Sequence, residues 1–328
     1  MPQSCREAVI ASLENASCYP DCEIRELREA LAHRELGETA SADQVILGNG
    51  ASELIYALCQ YLLPIDAMVT APTFMEYETA LRINGANVLY FELKREDAYT
   101  LSEDILDALT PEIELLFLCN PNNPTGQIMP KDLLLNICRK CEENEIFLCL
   151  DECFLPFMEE EEEYSMREYL SEFPHLMILK AFTKIYGMAG IRFGYLLSEN
   201  TQLLRGIREV MQPWNVSIPA QEAAKAALNE QEFEQETKVL IRNEREYLLG
   251  EMEKLGVDVI GHPAANYIFF ESEKDLAERF LKKGVLIRTC SNYTGLGEGF
   301  FRIGIRTPEE NRAFINIWKE IKEEYQHG

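Results

Sequence analysis

Basic residues are scarce in this chain. Its 328 residues carry 31 Lys plus Arg against 56 Asp plus Glu, a formal net charge of -25 at pH 7. Such a charge repels nucleic-acid phosphates and anionic lipid head groups, so no nucleic-acid or membrane partner is expected. It does not exclude a small anionic substrate, because a cleft can gather a few arginines locally. The placement of Arg192, Arg288 and Arg302 therefore matters more than the total. Also missing is any apolar run long enough for a spanning helix. The opening MPQSCREAVIASLENASCYPD has acidic residues and no long apolar core, so neither a signal peptide nor an anchor is expected. No second cysteine pair complements Cys138 and Cys141, so this CxxC reads as structural rather than as half of a metal site. The ten cysteines are scattered through apolar segments, where free thiols pack as small hydrophobes, and a reducing cytoplasm is expected.

The chain does contain 47% hydrophobic residues, enough for a substantial core divided between a large and a smaller domain. Two amphipathic stretches in residues 1–35 flank Tyr19-Pro20-Asp21. VILGNGASELIYALCQYLL then reads as strand, glycine turn and helix, with Leu54, Ile55, Leu58 and Leu62 at helical spacing. AMVTAP, ANVLYFEL, IELLFLCN, IFLCLDECF, LMILKAF and GIRFGYLLS follow as short apolar strands with helices such as 130–143 between them. This rhythm predicts an α/β fold with a mostly parallel sheet covered by helices on both faces. From about residue 203 long charged helices replace it, and NYIFFE, VLIR and FFRIGIR with their helices form a smaller α+β unit. The expected division is 1–35, packing with the small domain, 36–219 as the large domain, and 220–328 as the small C-terminal domain. The five glutamates 159–163 read as a solvated loop.

Three segments carry chemistry, and each falls at or beyond a strand end, where α/β sheets bind ligands. In GNGASE, Gly48 and Gly50 permit a tight turn, and the helix after it offers free N–H groups and the Ser52 hydroxyl to an anion. In NPNNPTG, Asn123 supplies an amide on a loop stiffened by Pro121 and Pro124, and Asp151 ends the apolar strand before DECF. A carboxylate there is costly unless a cation compensates it, and a pyridinium nitrogen is such a cation. In KAFTKIYGMAGIRFGY, Lys184 follows an apolar strand, where burial depresses an amine pKa and makes it nucleophilic, and Arg192 offers a bidentate phosphate clamp.

Taken together these segments resemble the fold-type I, aspartate-aminotransferase-like enzymes that use pyridoxal 5'-phosphate (PLP). Within them the chain resembles the histidinol-phosphate aminotransferase and threonine-phosphate decarboxylase group. The likeness runs over nearly the whole chain, through YPD, GNGASELI, APTFMEY, NPNNPTG, DECF, FTK with GIRFGY, VLIRTCSNYTGL and FRIGIRTPEEN. It implies that Lys184 forms the Schiff base with PLP and moves the substrate's α proton. Asp151 would keep the pyridine nitrogen protonated, Asn123 would bond the ring O3', and Phe74 would stack on the ring. Gly50, Ala51, Ser52, Thr183 and Arg192 would hold the cofactor phosphate. Tyr19 would reach the phosphate of the partner subunit, which implies a homodimer with shared active sites. Arg302 would clamp the substrate carboxylate and Arg288 a distal phosphate.

The chain departs from the family pattern in three ways. Ala181 stands where a Ser or Thr hydroxyl is usual, and Phe154 stands where aminotransferases usually have tyrosine. The chain also begins close to Tyr19-Pro20-Asp21, where relatives have an N-terminal arm that helps close the pocket. Phe154, APTFMEY and RTCSNYTGL favour a threonine-phosphate decarboxylase-like activity over a histidinol-phosphate aminotransferase-like one. A PLP-binding protein without catalysis is disfavoured by the joint presence of Lys184, Asp151, Asn123 and Arg302.

Overall fold

The computed structural model describes residues 1–327. Seven strands, β1 (Val45–Gly48), β2 (Asp66–Ala71), β3 (Asn87–Glu92), β4 (Leu115–Cys119), β5 (Phe147–Asp151), β6 (Leu176–Ala181) and β7 (Gly194–Leu197), form one sheet in the order β1-β7-β6-β5-β4-β2-β3. Pairs from β6 to β3 are parallel, and β7 runs antiparallel to both β6 and β1. Strands β4 and β6 are buried along their whole length, which is why β4 reads as an unbroken apolar run and β6 as one interrupted only by Lys180. The helix Lys131–Glu143 buries Leu133, Leu134, Ile137, Cys138 and Cys141 on one face. The CxxC thiols thus pack in the core, where burial pushes Cys138 up to about 12.

A second, antiparallel sheet has the order β10-β11-β9-β8, with β8 (Asp258–Val259), β9 (Tyr267–Glu271), β10 (Arg288–Thr289) and β11 (Phe300–Gly304). The run VLIR contributes less strand than its composition suggests. Gly284 takes φ +78 and the Val285 N–H turns back to the Phe280 carbonyl, so only Arg288 and Thr289 pair with β11. The 24-residue helix Gln231–Lys254 leads to this sheet from the large one. At the other end of the chain, the helix Gln3–Ser12 packs on Ile218–Ala227, and the helix Arg25–Leu36 packs against β1.

Glu159, Glu160, Glu162 and Glu163 of the five-glutamate run are exposed as expected, but Glu161 is not, and the run holds a short helix rather than a loop throughout. Glu161 begins a short helix and reaches the buried Lys180 at 2.9 Å and Lys238 at 3.2 Å, while Glu159 pairs with Arg242 at 2.7 Å. Lys180 also meets Glu35 at 3.2 Å, and Arg167 meets Glu35 at 2.7 Å. Arg34 and Tyr186 both bond Glu234, and Tyr195 donates to Glu35 at 2.7 Å. This network joins β6, β7, the second helix and the long helix Gln231–Lys254. For Glu161 the like-charge repulsion that predicts solvation is outweighed by Lys180 and Lys238, brought from elsewhere in the chain.

Candidate active site

The site forms along one edge of the large sheet. Gly48 at the end of β1 pairs with Gly194, which pairs in turn with Ala181 at the end of β6. Asp151 ends β5 and Cys119 ends β4 beside it. Because β7 runs against its neighbours, its first residue lies at this same edge, and the residues just before it, Arg192 included, arrive there too.

Gly50 adopts φ +76 at the start of the helix Ala51–Leu62, which has no side-chain cap. A Cβ on Gly50 would fall 2.4 Å from Arg192 Nη2, and one on Gly194 would fall 2.5 Å from the Ala51 nitrogen. These close approaches bring a guanidinium to a helix N-terminus, where both carry positive charge and an anion relieves both. Arg192 itself takes φ +66, and among the described residues its acceptors are carbonyls, Ala189 O at 3.3 Å and Asn49 O at 3.5 Å. Thr183 is buried next to Lys184 in the short helix Phe182–Ile185, and Ser52 is half-buried in the first turn of its helix. The donor set fits a phosphate.

Asp151 is buried, yet no lysine or arginine is bonded to it among the described residues. The sequence-based expectation of a cationic partner is met within the chain only by neutral donors: the Tyr77 hydroxyl at 2.5 Å and the Cys153 N–H at 2.9 Å. A carboxylate so held, with lone pairs remaining, suits a protonated pyridine nitrogen. Phe74 is half-buried at the start of the helix Met75–Ile83, with its ring 5.5 Å from that of Tyr77. The thiols of Cys119 and Cys153 feel the charges of both Asp151 and Lys184.

Lys184 is exposed rather than buried, which corrects the expectation that apolar burial activates it. Its Nζ lies 5.1 Å from the centroid of the Phe154 ring. It lines an open cavity of about 740 Å³ together with Phe154, Tyr267, Arg288 and Arg302. The Arg302 guanidinium lies 4.8 Å over the Tyr267 ring and donates to Asn123 Oδ1. That leaves the Asn123 amide nitrogen free to donate elsewhere. Arg288 pairs directly with Arg302 across β10 and β11 and donates to Asn292 at 3.3 Å. Tyr19 is 79% exposed, and its ring lies 4.6 Å from that of Trp214.

Tyr77 and Tyr267 are the functional residues that sequence reasoning missed. Tyr77 stands within APTFMEY, but nothing local marks its bond to a residue on another strand. Tyr267 reads as an ordinary β-strand aromatic; it pairs with Gly304 in the sheet, and only the tertiary structure lays the Arg302 guanidinium over its ring.

The family model described as "Aminotransferase class I and II" matches residues 1–317. The chain belongs to that family. Its members are PLP-dependent enzymes, and this chain is therefore an enzyme with PLP as cofactor. It is 33% identical over 324 residues to a threonine-phosphate decarboxylase of Salmonella typhimurium, covering 98% of this chain and 88% of that one. It is also 33% identical to a histidinol-phosphate aminotransferase of Moorella thermoacetica, covering 95% and 81%. A histidinol-phosphate aminotransferase of Clostridium acetobutylicum superposes with a TM-score of 0.91 at 26% identity, covering 99% of this chain and 96% of that one. No helix among the described residues is long and apolar enough to cross a membrane.

Proposed function

We propose that this aminotransferase-family chain decarboxylates a phosphorylated amino acid of the threonine O-phosphate type. The observation that carries the reading is the direct pairing of Arg288 with Arg302 on the wall of the Lys184 cavity. Two guanidiniums side by side suit a substrate with two anionic groups, a carboxylate and a phosphate. Phe154, which gives the ring O3' no hydroxyl, and the similarity to the Salmonella typhimurium protein support decarboxylation over transamination.

When bound, PLP supplies an electron sink for the pair left on the substrate's α carbon. Arg192, Gly50, Ala51, Ser52 and Thr183 hold its phosphate, Phe74 covers the ring, and Asn123 donates to O3'. Asp151 keeps the pyridine nitrogen protonated. Lys184 would be the residue that holds the cofactor's aldehyde end. Arg302 and Arg288 would grip the substrate at both ends and fix which of its α-carbon bonds is presented for cleavage. Once carbon dioxide has left, the Lys184 amino group is the side chain on the cavity wall that would carry a proton to the α carbon.

We further infer a cytoplasmic homodimer in which Tyr19 reaches the partner's cofactor phosphate. The exposed Tyr19 and Trp214 rings and the ten free thiols support this. The functional division into 1–35, 36–219 and 220–328 belongs to the same reading, with the long helix Gln231–Lys254 carrying the small sheet and its arginines.

Incubation with threonine O-phosphate should release carbon dioxide and aminopropanol phosphate. A second reading, transamination of histidinol phosphate, draws on the Moorella thermoacetica relative. Glutamate formation from histidinol phosphate and 2-oxoglutarate, with no carbon dioxide from threonine O-phosphate, would replace the first reading with the second.

A further inference from the structure

We infer that Tyr77 is a positioning residue for the cofactor, its hydroxyl holding the Asp151 carboxylate in the orientation that faces the pyridine nitrogen. The inference rests on the reading of Asp151 given above and adds a residue to it.

Tyr77 is fully buried in the first turn of the helix Met75–Ile83. Its ring is stacked on Phe117 at 4.9 Å and 7° and meets Phe74 edge-on at 5.5 Å. Those contacts fix the ring without help from the hydroxyl, so the hydroxyl is free to serve Asp151. It donates to Oδ2 at 2.5 Å while the Cys153 N–H donates to Oδ1 at 2.9 Å. With both oxygens tied, the carboxylate cannot rotate, and each oxygen keeps lone pairs for an incoming donor.

Burial first, and then the neighbouring Asp151 charge, raise Tyr77 well above the ordinary tyrosine value. The hydroxyl therefore keeps its proton and remains a donor at any working pH. A hydrogen bond to the charged form of a carboxyl favours that form. Tyr77 thus gives the buried Asp151 carboxylate a donor that burial would otherwise deny it, and holds the oxygen in place for the pyridine nitrogen.

The test uses the full-length chain and its Tyr77→Phe, Asp151→Asn and doubly substituted variants. PLP dissociation constants, the pH titration of the bound chromophore's absorbance, and thermal unfolding without PLP are measured for each. Tyr77→Phe keeps the ring stack, so unfolding without PLP should stay near wild type while PLP binds about 10-fold more weakly. The chromophore titration should shift in Tyr77→Phe. The double variant should bind PLP within about twofold of Asp151→Asn alone, because the hydroxyl acts through the carboxylate. Additive losses in the double variant would assign Tyr77 to packing and overturn the inference. Unchanged PLP affinity in Tyr77→Phe, with weakened binding in Asp151→Asn, would overturn it while leaving Asp151 in place. Wild-type PLP affinity in Asp151→Asn would remove the role of Asp151 and the inference with it.

Discussion

Arg288 and Arg302 stand directly opposite each other on β10 and β11, and both line the cavity that holds Lys184. Like charges in this position cost a sheet about 0.2–1 kcal/mol, and an anion between them removes the cost. The Tyr267 ring and Asn123 steady Arg302, whereas Arg288 has the Tyr293 ring and Asn292. Replacing Arg302 with Lys keeps the charge but loses the planar fork, so KM for threonine O-phosphate should rise about 10- to 100-fold. Arg288→Ala should raise KM for the phosphorylated substrate while leaving an unphosphorylated amino acid little affected. Steady-state kinetics on both substrates checks this, and equal losses on both would reassign Arg288.

Lys184→Ala should bind PLP without a covalent link, held by the Arg192 cradle and Asp151, and should complete no turnover. Borohydride followed by peptide mapping should find the cofactor on Lys184 in the wild type and on no lysine in the variant. A label on another lysine would reassign the nucleophile.

Gly50→Ala places a Cβ 2.4 Å from Arg192 Nη2 at a φ of +76. The strain costs about 1–2 kcal/mol and displaces the guanidinium from the helix N-terminus. PLP affinity should fall more than overall stability does, which equilibrium dialysis and denaturant unfolding can measure side by side. Equal effects on both would mean that Arg192 is not a phosphate ligand.

The buried ionic network carries a pH signature. Burial opposes ionisation of Glu35 and Glu161, but Lys180 and Arg167 outweigh it and hold both carboxyls at about 2. Their folded values lie below the unfolded value of about 4.3, so their contribution is complete above that pH and disappears as pH falls toward 2. Lys180 is shifted the other way: burial lowers it, yet Glu35 and Glu161 prevail and raise it, so its contribution is complete below the unfolded value of about 10.4. Lys180→Met removes the buried cation that Glu35 and Glu161 share, leaving them Arg167 and Lys238, and should cost at most about 3–5 kcal/mol. Urea unfolding across the acid range should show wild-type stability falling below about pH 4.3, with a shallower fall in the variant. Parallel curves would disprove the coupling.

Tyr19→Phe should weaken PLP binding modestly, by about 1.5–3 kcal/mol at most, through one lost charge-assisted hydrogen bond. Sedimentation should show a dimer for both proteins. A fully active wild-type monomer would rule out the shared site.

The central strands of the large sheet were legible in the sequence because burial on both faces makes them nearly continuous apolar runs, of which β4 is the clearest. The order of Asn123, Asp151, Lys184 and Arg192 was legible as well, since each lies at a strand end or turn where local pattern changes.

Tertiary structure alone decided what those residues meet. Asp151 finds Tyr77 rather than a protein cation, Lys184 faces an open cavity rather than an apolar pocket, and the half-buried Glu161 meets Lys180. Sequence pattern reports the period and solvation of a segment, whereas these pairings depend on strand register and on helices that approach from distant parts of the chain. The facing of Arg288 and Arg302 is of the same kind, because a shift of one residue between β10 and β11 would send one guanidinium to the other side of the sheet.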